Sequence, residues 1–236
     1  MKKLPAVPYI VWMIAGTLIP LLMIVYYGFT DRTGAFTAAN ILAVFQPVHL
    51  KALGLSLGLS VVSTVICLAL SIPLALVLKK STMGRRGLIV FIFLLPMWMN
   101  FLLRTLAWQT LLEKNGVINS ILAFFHLPGI SIINTPGAII LGMVYNFLPF
   151  MVLPIYNVLI KIDRDVINAA RDLGANSVQT FLKVTLPLTT PGIVSGITMV
   201  FIPALTTFVI SDLLGGSKIL LIGNVIEQEF KQTNNW

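Results

Sequence analysis

Few residues of this 236-residue chain have the types and spacing that covalent chemistry requires. Its only histidines are His49 and His126, and its only cysteine is Cys67. The motifs H-E-x-x-H, G-x-x-x-x-G-K-[ST] and G-x-S-x-G do not occur, so the sequence offers no zinc, phosphate-loop or serine-hydrolase site. We predict a non-catalytic protein without a bound cofactor or metal, driven by a partner or by a gradient.

Polar and aromatic residues inside apolar segments are the better candidates for function, because such groups are costly at membrane depth. For Arg104 the competing interpretation is a side chain that reaches the outer headgroups. For Asn100 and Asn146 it is a hydrogen bond between helices. If their faces converge, these side chains line a weakly polar path. The candidate path residues are Trp98, Asn100, Arg104, Tyr145, Asn146 and Thr206 within the spans, with Asp212 and Glu227 on the outer side.

The elements that must position these residues are membrane helices. Hydrophobic residues make up 57% of the chain and charged residues 10%, against about 25% charged in soluble domains. Several uncharged stretches exceed the roughly 20 residues that cross a bilayer. We predict an all-α membrane protein of one domain over 1–236, with spans at about 6–28, 52–78, 87–112, 136–160 and 188–211.

The first span also has features of a secretory signal, since Lys2 and Lys3 precede it. Its uncharged stretch is longer than the roughly 7–15 residues of a signal core, and no small-x-small cleavage site ends it. We therefore favour an uncleaved first helix. Small residues predict close helix packing in two further spans. They are Gly54, Ser56, Gly58 and Ser60 in the second span and Gly192 and Gly196 in the fifth.

Orientation follows from the distribution of basic residues, which accumulate in cytoplasmic loops. The stretch KKSTMGRRG at 79–87 and the loop 161–187 fall on the same side as Lys2 and Lys3. That side is predicted to be the cytoplasm, and it includes the amino terminus. The net charge of +8 does not indicate a nucleic-acid partner, because the basic residues are scattered over short loops and form no continuous face.

The loop 161–187 is the longest charged stretch and predicts two short helices. Asp163 or Asp165 can cap the first, Gly174 suits the left-handed residue that ends it, and the second is predicted to run from Ser177 to near Pro187. On the first helix an apolar face is predicted to pack on the chain itself, and the opposite face to dock in a partner's cleft. The apolar face has Val166, Ala169, Ala170 and Leu173, and the other has Arg164, Asn168 and Arg171. A helix lying on lipid is the alternative.

The segment NAARDLGANSVQTFLKVTLP resembles the EAA loop of ABC importer permeases. Ala169, Ala170, Gly174 and the Leu186-Pro187 pair match that pattern in register, whereas Asn168 stands at the usual glutamate. The resemblance implies a coupling helix held by an ATP-binding subunit, so that charged contact is either lost or supplied by Asp165 or Asp172. The implied ATPase-coupling residues are Asp165, Asn168, Ala169, Ala170, Arg171, Asp172 and Gly174.

From about residue 50 onward the chain is similar to spermidine/putrescine importer permeases. This resemblance implies the type I ABC importer transmembrane fold (MetI-like), in which this subunit ordinarily has six spans, so a sixth is expected beyond Trp236. It also implies a bacterial cytoplasmic membrane location, surrounding lipid, a second related permease, two copies of an ATPase that binds ATP and magnesium, and an extracytoplasmic polyamine-binding protein.

Substrate chemistry follows from that resemblance. Trp98 and Tyr145 are then expected to offer cation–π contacts of about 0.5–2 kcal/mol each. The acids Asp212, Glu227 and Glu229 on the outer side are expected to attract a polycation. Import of another solute such as thiamine, iron or a sugar is the alternative. A secondary transporter or channel is a further alternative. Such a protein usually has a buried ionisable residue along its path, and the sequence shows no buried acid in the predicted spans.

Overall fold

The computed structural model describes residues 7–30, 34–81, 95–216 and 218–233. The described regular elements are helices, with one isolated bridge between Thr30 and Phe36. In chain order they are α1 Val7–Gly28, α2 Ala39–Ala43, α3 Pro47–Lys80, α4 Phe101–Leu112, α5 Val117–Phe124, α6 Pro136–Leu159, α7 Arg164–Asp172, α8 Ser177–Thr206, α9 Val209–Gly215 and α10 Ile222–Gln228.

Four described helices, α1, α3, α6 and α8, are long and apolar enough to cross a membrane. Residues 87–94 of the predicted third span lie outside the described residues, residues 95–98 are helical, and Phe101–Leu112 form the 12-residue α4. The fifth predicted span was placed at 188–211. The helix instead begins at Ser177 and ends at Thr206, because Thr207 has an extended backbone.

The described residues form two compact units. One contains the residues up to Ala52 and from Val225 onward, and in it α1 buries none of its side chains. The other contains Leu53–Asn224 and holds the apolar core. The single domain over 1–236 stays a prediction.

The core of the larger unit is built around α6. Half of this helix is buried, including Met143, Met151 and Ile155, which are fully buried. The helix begins at Pro136 behind the cap Thr135, whose side chain accepts a hydrogen bond from the Ala138 N–H. Proline at the first helical position loses no hydrogen bond, so the sequence fixes this start locally.

Close packing of α8 on α6 depends on two glycines. A Cβ placed on Gly192 would lie 2.8 Å from the Pro154 carbonyl oxygen, and one on Gly196 would lie 2.6 Å from Met151 Sδ. Both distances are shorter than any carbon contact, so only glycine allows the two backbones to approach this closely. The predicted packing role of these two residues is confirmed.

Of the four small residues of α3 that were predicted to pack closely, only the two serines are buried in the chain. Gly54 and Gly58 face open space, whereas Ser56 and Ser60 are fully buried. The Ser60 hydroxyl donates to the Ser56 carbonyl at 2.6 Å. The glycine half of that prediction is therefore wrong. A serine can face the core because its hydroxyl bonds the preceding turn of its own helix.

The second loop helix does not stop near Pro187 as predicted. It continues through Pro187 as α8, after a wide turn of π type at Phe181–Thr185. A proline ring clashes with the carbonyl four residues earlier, which here belongs to Lys183. Because Lys183 lies inside the wide turn, the helix accommodates the ring without ending.

Candidate transport pathway and coupling surface

The predicted path residues Arg104 and Tyr145 lie close together. The Arg104 guanidinium carbon is 5.8 Å from the centroid of the Tyr145 ring and 5.9 Å from that of Phe101. Its Nη1 donates to the Pro96 carbonyl at 2.6 Å, and the side chain is buried. The prediction that Arg104 reaches the outer headgroups is therefore wrong, because two aromatic rings and a carbonyl hold its charge inside the chain.

Asn100 is a helix cap. Its Oδ1 accepts hydrogen bonds from Leu102 N at 2.9 Å and Leu103 N at 3.3 Å. Residues 95–98 are helical and Met99 is bent, so the predicted third span is broken at this point. Neither interpretation drawn from the sequence, a helix-to-helix hydrogen bond or a path lining, included this local role.

Each remaining path candidate in the spans has its own local environment. Tyr145 packs edge-on against Trp108 with centroids 5.1 Å apart, while its neighbour Asn146 is buried and donates to the Gly142 carbonyl at 2.8 Å. Trp98 is 75% exposed. Thr206 is exposed and donates to the Ile202 carbonyl of its own helix.

Asp212 belongs to a hydrogen-bonded group that the sequence did not reveal. The buried Asn224 donates from Nδ2 to Asp212 Oδ1 at 2.5 Å and to the Phe208 carbonyl at 3.3 Å. Its Oδ1 accepts from the Ser211 hydroxyl at 2.5 Å and from Leu221 N at 3.1 Å. Asn224 therefore uses its whole amide to fix an exposed carboxylate on α9.

Two further contacts of the carboxy-terminal helix differ in whether the sequence indicates them. Ser56 is buried and accepts a hydrogen bond from Ile222 N at 2.8 Å, at the start of α10. The contact joins residues 166 positions apart, so nothing local in the sequence indicates it. Glu227 pairs with Lys231 at 2.5 Å, at the i,i+4 spacing that the sequence does display.

The coupling loop has the predicted helix ends. Asp163 caps α7 by accepting a hydrogen bond from Asp165 N at 3.1 Å. Gly174 has φ +86°, and Ala175 N donates to the Ala170 carbonyl at 3.1 Å, which closes the helix in the manner of a Schellman motif. Asn176 then starts α8 through a reciprocal capping box with Gln179.

The faces of α7 differ in part from the prediction. Val166 is 45% and Leu173 is 89% exposed, so these apolar residues do not pack on the chain. Arg164 and Arg171 instead line a cleft shared with the end of α3 and the start of α8. Ile167 lies between them at helical spacing and meets this cleft, while both arginine side chains stay exposed. The predicted packing of Val166 and Leu173 on the chain is wrong.

The other predicted coupling residues lie on the side of α7 that faces away from the cleft. Asp165, Asn168, Ala169 and Asp172 are exposed, and Ala170 is half-buried. Among the described residues, no three His, Cys, Asp or Glu side chains come together as metal ligands. This surface of α7 therefore carries two carboxylates and is apolar at two points, Val166 and Leu173.

Comparison with known proteins gives a consistent family. The family described as "Binding-protein-dependent transport system inner membrane component" matches residues 4–233. The spermidine/putrescine transport system permease protein PotB of Haemophilus influenzae is 40% identical over 95% of this chain and 82% of its own length. PotB of Escherichia coli K12 is 38% identical over 95% and 85%. The E. coli inner membrane ABC transporter permease YdcU is 33% identical over 89% and 73%.

Solved structures agree on the fold. A bacterial ABC transporter for import of the acidic polysaccharide alginate has a TM-score of 0.77 at 19% identity, over 96% of this chain and 82% of that one. The same type of transporter, in complex with an alginate pentasaccharide-bound periplasmic protein, has a TM-score of 0.79 at 19% identity, over 97% and 82%. These likenesses confirm the ABC importer fold expected from the sequence.

The family also fixes the general role. Its members are membrane components that leave ATP hydrolysis to an ATPase partner and receive solute from a binding protein. The chain is thus a multi-pass inner membrane protein. Taken with the helical fold and the capped loop at 163–176, these matches identify the chain as a member of the binding-protein-dependent ABC importer permeases.

Proposed function

We propose that this permease imports polyamines such as spermidine and putrescine, as half of a pore completed by a second, related permease. The observation that carries the proposal is identity of 38–40% to PotB proteins over 95% of the chain. An extracytoplasmic polyamine-binding protein then delivers the solute, and two copies of a cytoplasmic ATPase drive the cycle.

The amino terminus and the loop 161–187 are proposed to be cytoplasmic. Lys79 and Lys80 at the end of α3 and Arg164 and Arg171 of α7 line one cleft, which supports placing the end of α3 and the loop 161–187 on the same side. Basic residues concentrate on the cytoplasmic side of bacterial membranes.

The coupling contact is proposed to be the outer face of α7. Val166 and Leu173 are large apolar residues left exposed at the two ends of this helix, and Ala169 between them leaves room for close approach. An exposed apolar pair rimmed by polar groups is typical of a protein contact. Asn168, Asp165 and Asp172 lie on the same exposed surface and supply polar contacts there.

Movement at α7 has a direct route into the membrane part. Gly174, Ala175 and Asn176 connect α7 to α8 without a flexible stretch, because each end is capped. From there α8 continues unbroken to Thr206 and packs on α6 through Gly192 and Gly196. We propose that closure of the ATPase pair displaces α7 and that α8 carries this displacement to the pore, which gives alternating access.

The contacts in the structure refine the roles proposed for the residues of the solute path. Tyr145 already faces the Arg104 guanidinium, so a polyamine must compete for that ring. Trp98 is exposed and open to a cation. Asp212, held by Asn224, and Glu227 are proposed as outer acids that raise the local concentration of a polycation.

Reconstitution tests this function. The chain, its partner permease, the ATPase and the binding protein are placed in proteoliposomes, and ATP hydrolysis and uptake are measured with spermidine, putrescine, thiamine, ferric iron or maltose. We expect stimulation by the two polyamines alone. Stimulation by one of the other solutes would reassign the substrate, and uptake without the ATPase would overturn the importer mechanism.

A further inference from the structure

A basic cleft lies between the end of α3, helix α7 and the start of α8. Its volume is about 440 Å³. Lys79 and Lys80 line it from α3, and Arg164 and Arg171 line it from α7. No carboxylate is among the described residues that line it, although α7 carries two aspartates elsewhere on its surface.

Within the part of the chain that the structure describes, no carboxylate forms an ion pair with any of the four cations. Like charges held around one space repel each other, and this cost is offset when an anion enters. Guanidinium and ammonium groups together suit a phosphate, because Arg binds it with two parallel hydrogen bonds and Lys acts as a point charge.

The rest of the lining is amphipathic. Ser177 and Thr180 add hydroxyl groups beside the cations, whereas Leu76 and Phe181 add apolar surface. Lys79 follows Leu76 by about one helical turn at the end of a helix long enough to cross a membrane. A lipid headgroup site is expected to have an apolar residue followed by a basic one toward the end of the helix. The acyl chains of the lipid then lie beside the apolar residue, and its phosphate lies at the membrane boundary.

We propose that this cleft binds the phosphate headgroup of an anionic membrane phospholipid. Basic pockets between membrane helices on the cytoplasmic side are favourable places for such headgroups. A free phosphate shares the headgroup chemistry but would leave the apolar surface of Leu76 and Phe181 uncovered. The inference rests on the proposed function only in one respect: the cytoplasmic placement of the loop 161–187 assigns the lipid to the inner leaflet. A bound lipid here joins α3 to the coupling helix, so it would affect how α7 moves.

The test uses the complete transporter purified in detergent. Binding of fluorescent phosphatidylglycerol is titrated for the wild type and for the double variant Lys79→Gln/Arg164→Gln, with phosphatidylcholine as the neutral lipid. Each basic group near a membrane surface contributes about 1 kcal/mol, which corresponds to about a fivefold change in Kd. We expect the double variant to bind phosphatidylglycerol about 25-fold more weakly, with phosphatidylcholine binding unchanged.

Lys183→Gln is the matched control, because it removes an exposed basic residue of the same stretch that does not line the cleft. It should leave binding unchanged, and the charge-conserving Lys79→Arg/Arg164→Lys variant should retain it. If the double variant does not accumulate, the two single variants are compared, each about fivefold weaker.

Three results would overturn the proposal. One is unchanged phosphatidylglycerol binding in the variants. Another is displacement of the lipid by millimolar inorganic phosphate, which would assign the cleft to a free anion. The third is loss of the ATPase from the variant complex with lipid binding intact, which would assign the cations to that protein. Substrate-dependent ATP hydrolysis, measured separately, tests the proposed function and does not affect this outcome.

Discussion

Asn100 and Arg104 hold the start of α4 from two sides. The Asn100 side chain caps the first turn, and Arg104 reaches back to the Pro96 carbonyl at 2.6 Å. The two bonds bracket the bend at Met99, so a break in a helix at this depth is satisfied by side chains of the same chain. In a membrane, irregular backbone is tolerated only where such partners exist.

Replacement of Asn100 by alanine removes the cap and leaves the amides of Leu102 and Leu103 without this acceptor. We expect a loss of about 1 kcal/mol in stability, seen as a lower Tm of the purified transporter. Asn100→Asp keeps an acceptor at the same position and should retain the wild-type Tm. Equal Tm values for the alanine and aspartate variants would contradict the capping role.

Variants of Asn224 and Asp212 can distinguish a structural role from an electrostatic one. Asn224→Ala leaves the Ser211 hydroxyl and the Phe208 carbonyl without this partner, which costs about 1–3 kcal/mol. We expect a lower Tm together with weaker polyamine uptake. Asp212→Asn should raise the KM of uptake with a smaller change in Tm than Asn224→Ala, because it removes the exposed charge but keeps an oxygen that can accept from Asn224. An unchanged KM in Asp212→Asn would exclude Asp212 as an attracting group.

At the scale of elements, the contact between α6 and α8 depends on two glycines with no space beside them. Gly196→Leu would drive a side chain into Met151 and force the two helices apart. We expect overpacking to cost about 1–3 kcal/mol or more and to lower the Tm of the transporter. Gly58→Leu on α3 is the matched control, since its Cβ position is open in this chain. Equal loss in both variants would mean that helix propensity, not packing, explains the effect.

The outer face of α7 can be tested without changing the fold. Leu173 is 89% exposed, so Leu173→Asp should leave the Tm unchanged but weaken ATPase association, because it places a charge in the proposed apolar contact. The measurement is the amount of ATPase retained on the purified permease pair. Phe124→Asp, at a residue 79% exposed on α5, is the control and should retain the ATPase. Full retention in Leu173→Asp would contradict the proposed coupling face.

Local chemistry determined which elements were predictable. Asp163, Gly174 and Ser177 marked the ends of α7 and the start of α8 correctly, because caps act over three or four residues. The rotation of α7 was not predictable in this way. It depends on Ile167 meeting a cleft built with the end of α3, more than 80 positions earlier in the chain.

The same distinction explains the errors within the spans. Depth along the chain placed Arg104 near the outer surface, but the rings of Phe101 and Tyr145 and the Pro96 carbonyl keep it inside. The role of Asn224 cannot be predicted from the sequence, because its four hydrogen bonds join it to residues three to 16 positions away and no periodic pattern displays such contacts.

For the whole molecule, α1 raises the question of what surrounds the chain. Its 22 residues are apolar and none of them is buried within the chain. An apolar helix of this length is expected to be covered by lipid or by other protein in the membrane. This agrees with a pore completed by a related subunit, as proposed above.

Orientation is the last property to be tested at this scale, and the single buried Cys67 makes the test clean. On a Cys67→Ala background, cysteines are introduced one at a time at the exposed positions Leu173 and Glu113. If the loop 161–187 is cytoplasmic, a membrane-impermeant maleimide added to spheroplasts should label Glu113→Cys and not Leu173→Cys, and inverted vesicles should give the reverse. The loop 161–187 carries four basic residues, Lys161, Arg164, Arg171 and Lys183, and such residues accumulate on the cytoplasmic side. Labelling of Leu173→Cys from the outside would place the coupling helix away from any cytoplasmic ATPase and would overturn the proposed route of energy through α8.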